Sequence, residues 1–199
     1  MNRKKGKRSY HHGDLENSLI KSSLFLLKDK KATDLSLREI AKSAGVSHTA
    51  VYRHFKDKES LFNKIAAIGF DRLAVYQANA ATHGEDSKDS FRRAGLAYIK
   101  FSLRFPGWYQ LMFQRRYIQP DAILKRAMIR SYSVLVQLSK DYIKDKNLSV
   151  DPKEYAMYAW SIVHGYSSLA IDSDFPQANA KSMQSTVRGL AEKIIKMMA

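Results

Sequence analysis

The chain has 199 residues, contains no cysteine, and carries a formal net charge of +15 with a sequence pI of about 9.9. These values exclude disulfide-stabilised folds and cysteine-based zinc or nucleophile chemistry, and they favour a polyanionic partner, above all a nucleic acid. Because no apolar run reaches the length of a membrane span and no signal peptide is recognisable, we expect a cytoplasmic, nucleoid-associated protein without membrane contact.

Positive charge is concentrated near the N-terminus. Residues 1–58 carry 14 Lys+Arg against 6 Asp+Glu, and the first ten residues are rich in basic side chains and contain no acidic one. Two interpretations are open: a solvated tail, or a basic arm that settles on phosphates. The adjacent His11 and His12 are expected to contact DNA as part of that arm or to lie in solvent. A metal site is disfavoured, because further ligands are missing.

The apolar periodicity is helical almost throughout the chain, and it predicts an all-α fold of about nine helices. The first four predicted helices cover Asp14–Lys28, Ser36–Ala44, Ser47–His54 and Asp57–Ala80. Each begins at a residue type that caps helix N-termini, and Glu39 completes a capping box with Ser36. Gly45 suits the left-handed position that follows the second helix.

A polar segment, Ala81–Asp86, interrupts the pattern and separates two halves of the chain, with the fourth helix belonging to both. Beyond it, the predicted helices cover Ser87–Arg104, Pro106–Phe113, Pro120–Lys146, Pro152–Ile171 and about 178–198. Several of these boundaries rest on proline at or near the first helical position, where its missing N–H has no cost. The last helix rests on a ladder of apolar residues at helical spacing.

Between Ser36 and Lys58, two short helices are joined by a turn with one glycine. Four apolar residues are spaced to pack the two helices together, and one of them is a small alanine that permits a close approach: Ile40, Ala41, Val46 and Val51. This arrangement is typical of a helix-turn-helix, whose second helix enters the major groove of DNA.

The polar side chains of this segment divide into two predicted roles on DNA. Donors and acceptors on the third helix suit base edges, and those predicted to lie there are Ser47, His48, Thr49, Tyr52, Arg53 and His54. Ser36, Arg38 and Lys58 are expected to position the phosphate backbone. Lys58 also lies at a helix N-terminus, which favours a phosphate.

Three stretches of the segment carry a recognisable pattern: Leu37–Ala41, Ala44–Ser47 and Val51–Lys58. Together they resemble the signature of the TetR/AcrR family of transcription regulators, and the resemblance extends over about residues 15–62. Tyr10–Leu15 and Trp160–Gly165 are similar to one subgroup of that family, which is named after a C-terminal Trp-His-Gly motif.

The resemblance implies an N-terminal arm and helix-turn-helix domain over residues 1–58 and a helical effector-binding and dimerisation domain over residues 59–199. It implies a homodimer formed through the helices at about 152–171 and 178–198. It also implies a sequence-specific repressor that a small-molecule effector releases from a palindromic operator. No cofactor, metal or catalytic function is expected, because the sequence contains no nucleophile elbow, metal-ligand set or phosphate loop.

Two groups of aromatic-rich residues are candidate effector contacts. The candidates are Phe105, Trp108, Tyr109, Met112, Trp160 and His164. For Phe105–Met112, packing in the core is favoured over an apolar pocket. Trp160 and His164 lie four residues apart on one helical face, so core packing and a pocket wall are equally open for them.

Two other classes of function are compatible with the sequence. The net charge of +15 permits a nucleoid-type protein that binds DNA without sequence preference and without an effector. A helical interaction module, or an enzyme that carries a helix-turn-helix, is the third class. Weak sequence selection among random duplexes would favour the nucleoid-type protein. Failure to bind any duplex at low salt would favour the interaction module or the enzyme.

Overall fold

A computed structural model describes residues 12–113 and 119–171, together with Gly189 and Lys193. Within these residues the regular elements are all helical, which confirms the predicted fold class, and no helix combines the length and apolar character needed to cross a bilayer. The helices are α1 His12–Leu26, α2 Leu37–Ser43, α3 His48–Val51, α4 Lys58–Ala81, α5 Ser87–Arg104, α6 Pro106–Phe113, α7 Ala122–Lys146 and α8 Pro152–Ile171, with a short 3-10 helix at Ala32–Asp34. The N-terminal arm over residues 1–11 and the ninth predicted helix, apart from Gly189 and Lys193, lie outside the described residues.

Side-chain caps fix the start of α2 as the sequence predicts. Ser36 Oγ accepts a hydrogen bond from the backbone N–H of Glu39 at 3.2 Å, and Glu39 Oε2 accepts one from the backbone N–H of Ser36 at 3.0 Å. The ammonium of Lys30, 2.8 Å from Glu39 Oε1, and the bonds from Ser36 hold the pKa of Glu39 at about 2. Gly45, at φ +69°, supplies the left-handed turn between α2 and α3.

Three of the predicted helices have boundaries that were wrong by a few residues. α1 begins at His12 and ends at Leu26, so the predicted N-cap Asp14 lies in its first turn. α3 ends at Val51 and not near His54, because the N–H groups of Arg53 and His54 donate to carbonyls only three residues back. α7 begins at Ala122 and not at Pro120, because Asp121 caps it by accepting from Leu124 N at 2.7 Å.

The core is built around α4, which packs against α5, α6 and α7. A single buried cluster joins residues from the N-terminal helices to residues of α8, among them Leu19, Ile40, Phe62, Tyr98 and Val163. The predicted division at residue 58 therefore crosses a shared core. We call residues 12–57 the head and the described residues from 58 to 171 the body.

A close backbone approach joins head and body, and two hydrogen bonds within the body hold the segment before α7 against α4. The backbone of Gly107 in α6 lies so close to the end of α1 that an added Cβ would be 3.3 Å from Leu27 Cβ. At the start of α4, Glu59 Oε1 accepts a hydrogen bond from Gln119 N at 2.8 Å, and Asn63 Nδ2 donates to Gln119 O at 3.1 Å. The segment that precedes α7 is thereby held against the first two turns of α4.

Candidate functional site

The helix-turn-helix of the head is held together by the side chains that the sequence predicts. Ile40, Ala41 and Val51 are buried to 1% exposure or less, and Val46 is half-buried against the same cluster. The backbone N–H of Val46 donates to the carbonyl of Ala41 at 3.0 Å, which ties the turn to α2. With its apolar side buried in this way, α3 presents its other side to solvent.

The predicted base-reading side chains on that solvent-facing side are accessible. His48, Thr49, Tyr52 and Arg53 are exposed, and the rings of His48 and Tyr52 meet edge to face with centroids 5.0 Å apart. The side chains of Thr49 and Arg53 make no hydrogen bond or ion pair within the described part of the chain. Their donors and acceptors are therefore available to an external partner.

Other predicted DNA contacts have partners inside the head. Ser36 Oγ and Ser47 Oγ cap α2 and α3, the latter by accepting from Ala50 N at 3.2 Å. His54 is half-buried and has an interaction partner within the protein. Arg38 is exposed on α2 with no ion pair in the described residues. Direct contact with DNA remains a prediction for all of these residues.

Lys58 has an internal role that the sequence does not reveal. Its ammonium donates to the carbonyls of three residues in the connection between α1 and α2: Ala32 at 3.3 Å, Thr33 at 3.2 Å and Leu35 at 2.8 Å. The ammonium also lies 5.7 Å from the ring centroid of Phe62. Because an ammonium has three hydrogens, these contacts use all of its donors. Lys58 thus fastens the start of α4 to the head, and its predicted phosphate contact would need these bonds to open.

The body contains a cavity of about 270 Å³ bounded by α4, α5, α7 and α8, with Phe113 at the end of α6. Its lining is mostly apolar and aromatic, as is usual for small-molecule sites. The lining residues are Phe70, Leu73, Gln77, Tyr98, Phe113, Met128, Ile129, Ser131, Tyr132, Leu135, Met157 and Trp160. Of the six residues predicted to contact an effector, only Trp160 is among them.

The other predicted effector contacts lie in or against the core. Trp108, Tyr109 and Met112 are at most 6% exposed, and the guanidinium of Arg72 lies 4.2 Å from the centroid of the Trp108 ring. Phe105 is half-buried, with its ring centroid 5.5 Å from that of Trp108. The aromatic side chains of α6 therefore pack against α4 and α5, in line with the favoured core interpretation.

His164 belongs to a hydrogen-bonded group behind the cavity wall. Its Nδ1 lies 2.9 Å from Tyr98 Oη and 2.7 Å from Tyr109 Oη, and Tyr98 Oη accepts from Trp160 Nε1 at 3.2 Å. Burial raises the pKa of both tyrosines, so their hydroxyls keep their protons and can donate to Nδ1. Burial lowers the pKa of His164 and so favours its neutral imidazole.

This lowered pKa predicts that the protein loses stability between pH 7.5 and 5.5. The folded state holds His164 neutral, so its contribution is complete above the unfolded pKa of about 6.5 and declines as the pH falls towards the folded value. A single group contributes at most about 1.4 kcal/mol per pH unit. Urea unfolding at both pH values measures the loss, and the His164→Asn variant should show a smaller one. An equal loss in the variant would assign the pH dependence to other groups.

Sequence reasoning missed most of the cavity lining, although one signal for it was present. Gln77 follows Leu73 by four residues and Phe70 by seven, so it continues the apolar face of α4. A polar residue within such a stripe is a candidate for a cavity wall. The lining residues on α7 gave no comparable signal, because both sides of this long helix contain apolar residues.

A helix-turn-helix with an accessible second helix, joined to a helical body that contains a cavity, is the arrangement expected of a DNA-binding regulator. Residues 19–65 match the family described as bacterial regulatory proteins, tetR family, and residues 91–192 match the family described as tetracyclin repressor-like, C-terminal domain. The chain belongs to the TetR family, and it is accordingly a transcription regulator and not an enzyme. The Trp-His-Gly subgroup stays a prediction.

Individual relatives agree with this assignment. Over 47 residues the chain is 45% identical to the HTH-type transcriptional regulator AcrR of Shigella flexneri, a match that covers 24% of this chain and 22% of that regulator. A protein of unknown function from Rhodococcus sp. RHA1 has the same fold, with a TM-score of 0.77 and 24% identity over 96% of this chain and 98% of that one. So does PfmR, a TetR family transcriptional regulator from Thermus thermophilus, with a TM-score of 0.69 and 19% identity over 89% and 97%.

Proposed function

We propose that the chain is a ligand-responsive, sequence-specific repressor, which a small molecule releases from a palindromic operator in the cytoplasm. Residues 1–58 supply the basic arm and the DNA-binding helices, and residues 59–199 supply the effector site and the dimer contacts. The DNA contacts are those predicted on α2 and α3. The effector site is the cavity in the body, to which Trp160 contributes.

The observation that carries this proposal is the position of α4. This helix begins at the head, where Lys58 binds three carbonyls, and it lines the cavity further on through Phe70, Leu73 and Gln77. With 24 residues, α4 extends about 36 Å. A ligand that favours one position of α4 also favours one spacing of the two heads in a dimer, and it changes operator affinity by its preference between the two states.

Selection of duplexes from a random DNA library at about 150 mM salt tests the proposal. A two-fold symmetric consensus with half-sites about 34–36 Å apart, or a multiple of that distance, is expected for a dimer that places each α3 in a major groove. Binding without a consensus would favour the nucleoid-type alternative, which the net charge of +15 permits. Absence of binding would exclude both.

The outer face of α8 supports the predicted homodimer. Tyr158 and Leu169 are 53% and 52% exposed, and they lie eleven residues apart, which is about three helical turns. Gly165 lies between them, and an added Cβ there meets no atom within 4 Å. A face with apolar ends and a small residue in the middle permits the close approach of a second copy of the helix.

We expect Gly165→Leu to weaken the dimer at least tenfold, because a bulky side chain would separate the two α8 helices. Sedimentation equilibrium measures the dissociation constant. The folded protomer should keep its stability, since the added side chain begins in open space and glycine disfavours a helix. Lys140→Leu, which adds the same side chain at an exposed position of α7, serves as the control. Unchanged association of the Gly165→Leu variant would place the dimer contact elsewhere.

A further inference from the structure

Among the residues that the structure describes, none that lines the cavity in the body carries a charge. Its twelve lining residues are apolar or aromatic apart from the neutral polar side chains of Gln77 and Ser131 and the hydroxyls of Tyr98 and Tyr132. Transfer of an ion from water into such a site is strongly unfavourable unless a counter-charge is present. The described lining therefore offers no counter-charge to a charged molecule.

The two tyrosine hydroxyls on the wall already have partners in the protein. Tyr98 Oη accepts from Trp160 Nε1 and lies within hydrogen-bond distance of His164, and Tyr132 Oη donates to Lys153 O at 3.0 Å. Both groups are thus satisfied before any ligand enters. The two tyrosines form part of the cavity wall, and other side chains provide the hydrogen bonds to a ligand.

Gln77 and Ser131 differ from the tyrosines in this respect. They are 4% and 5% exposed, and neither side chain makes a hydrogen bond within the described part of the chain. Both residues line the cavity, and their polar atoms are not among the fully buried ones that lack a partner, so these atoms are accessible from the cavity. The two residues come from different helices, α4 and α7, and both contribute to the lining of one cavity. A ligand that enters the cavity can provide the missing partner.

We infer that the cavity binds an uncharged, mainly apolar molecule with a carbonyl, amide or hydroxyl group that hydrogen-bonds to Gln77 and Ser131. This inference rests on the proposed function, since it names the chemical class of the effector. The amide of Gln77 can donate to a carbonyl or accept from a hydroxyl, and the Ser131 hydroxyl can do the same. Met128 and Met157, both in the lining, can adapt to the apolar part of different molecules.

Three probes of nearly the same shape test the class of ligand: methyl naphthyl ketone, isopropenylnaphthalene and naphthoate, all substituted at the same ring position. The ketone is neutral and polar, the alkene lacks the oxygen, and the carboxylate is charged. Equilibrium dialysis against the full chain measures each affinity. We expect the ketone to bind about tenfold more tightly than the alkene, and naphthoate at least a hundredfold more weakly than the ketone.

The Gln77→Leu variant tests the residue. Its affinity for the ketone should fall about tenfold, to that of the alkene, while its affinity for the alkene is unchanged or higher. Folding is not at risk, because the substitution removes an amide that makes no hydrogen bond in the described part of the chain and keeps a similar volume. Asn79→Leu, the same kind of change at an exposed position of α4, should leave all three affinities unaltered.

Several outcomes would overturn the inference: naphthoate binding as tightly as the ketone, no binding of any probe, or an unchanged ketone affinity in the Gln77→Leu variant. The DNA selection described above separates this failure from failure of the proposed function. A symmetric consensus together with a failed probe series would leave the regulator intact and refute the ligand class. The expected probe series without any consensus would support the cavity chemistry and refute the regulator.

Discussion

The Arg53→Ala variant is expected to lose discrimination at one or two base pairs of the operator, at a cost of about 1–3 kcal/mol, or roughly five- to 150-fold in affinity for the preferred sequence. Arg53 follows α3 directly, is exposed, and makes no ion pair within the described residues. Its guanidinium can therefore donate two parallel hydrogen bonds to a guanine edge. Duplex selection with the variant, compared position by position with the unaltered protein, measures the loss.

An Arg53→Lys variant separates charge from geometry in this experiment. Lysine keeps the positive charge but not the planar fork, so the variant should retain the salt dependence of binding and still lose discrimination. If Arg53→Ala instead weakens all sequences equally and lowers the salt slope by about 1, Arg53 contacts a phosphate and does not read a base.

Replacement of Lys58 by methionine should lower the free energy of unfolding by about 2 kcal/mol. The half-buried ammonium donates to three carbonyls of the connection between α1 and α2, and hydrogen bonds to a charged group are stronger than neutral ones. Methionine keeps the packing against Phe62 but leaves the carbonyls without this donor. Urea unfolding measures the change. The salt slope of DNA binding should stay the same, because the ammonium is already occupied within the head.

Lys56→Met is the matched control for this prediction. Lys56 is exposed two residues earlier and forms no ion pair in the described part of the chain, so its loss should change stability by less than about 0.5 kcal/mol. If it contacts a phosphate, the salt slope falls by about 1. If the Lys58→Met variant instead has a lowered salt slope and unchanged stability, Lys58 contacts a phosphate, as the sequence predicts.

The helix boundaries were predictable where local chemistry determines them. α5, α6 and α8 have the predicted ranges, because a capping aspartate or a proline at the first helical position marks each start. α3 was predicted too long, since its last residues turn tightly to bring Phe55, which is 6% exposed, into the core. That requirement is tertiary and leaves no mark in the local pattern.

The cavity was the least predictable part of the candidate site. An aromatic-rich helix predicts equally well a core element and a pocket wall, and the choice depends on which neighbours it meets. Here Gly69 and Gly107 let α6 approach α4 and α1 closely, so Trp108, Tyr109 and Met112 are buried. The internal contacts of Lys58 could not be predicted from the local pattern either, because its carbonyl partners lie 23 to 26 residues earlier in the chain.

The contact between Gly107 and Leu27 limits how this protein can be recombined with its relatives. Consider a hybrid that takes its DNA-binding helices from another regulator and is joined at residue 58. The chain is continuous there, but a different residue can replace Leu27 at the place where the backbone of α6 comes close to α1. The hydrogen bonds that join Glu59 and Asn63 to Gln119 would survive, whereas the fit of α1 to α6 would not. Exchange of DNA specificity with retained ligand response is therefore expected only for hybrids that preserve Leu27 and the carbonyls that bind Lys58, or that exchange α6 together with the head.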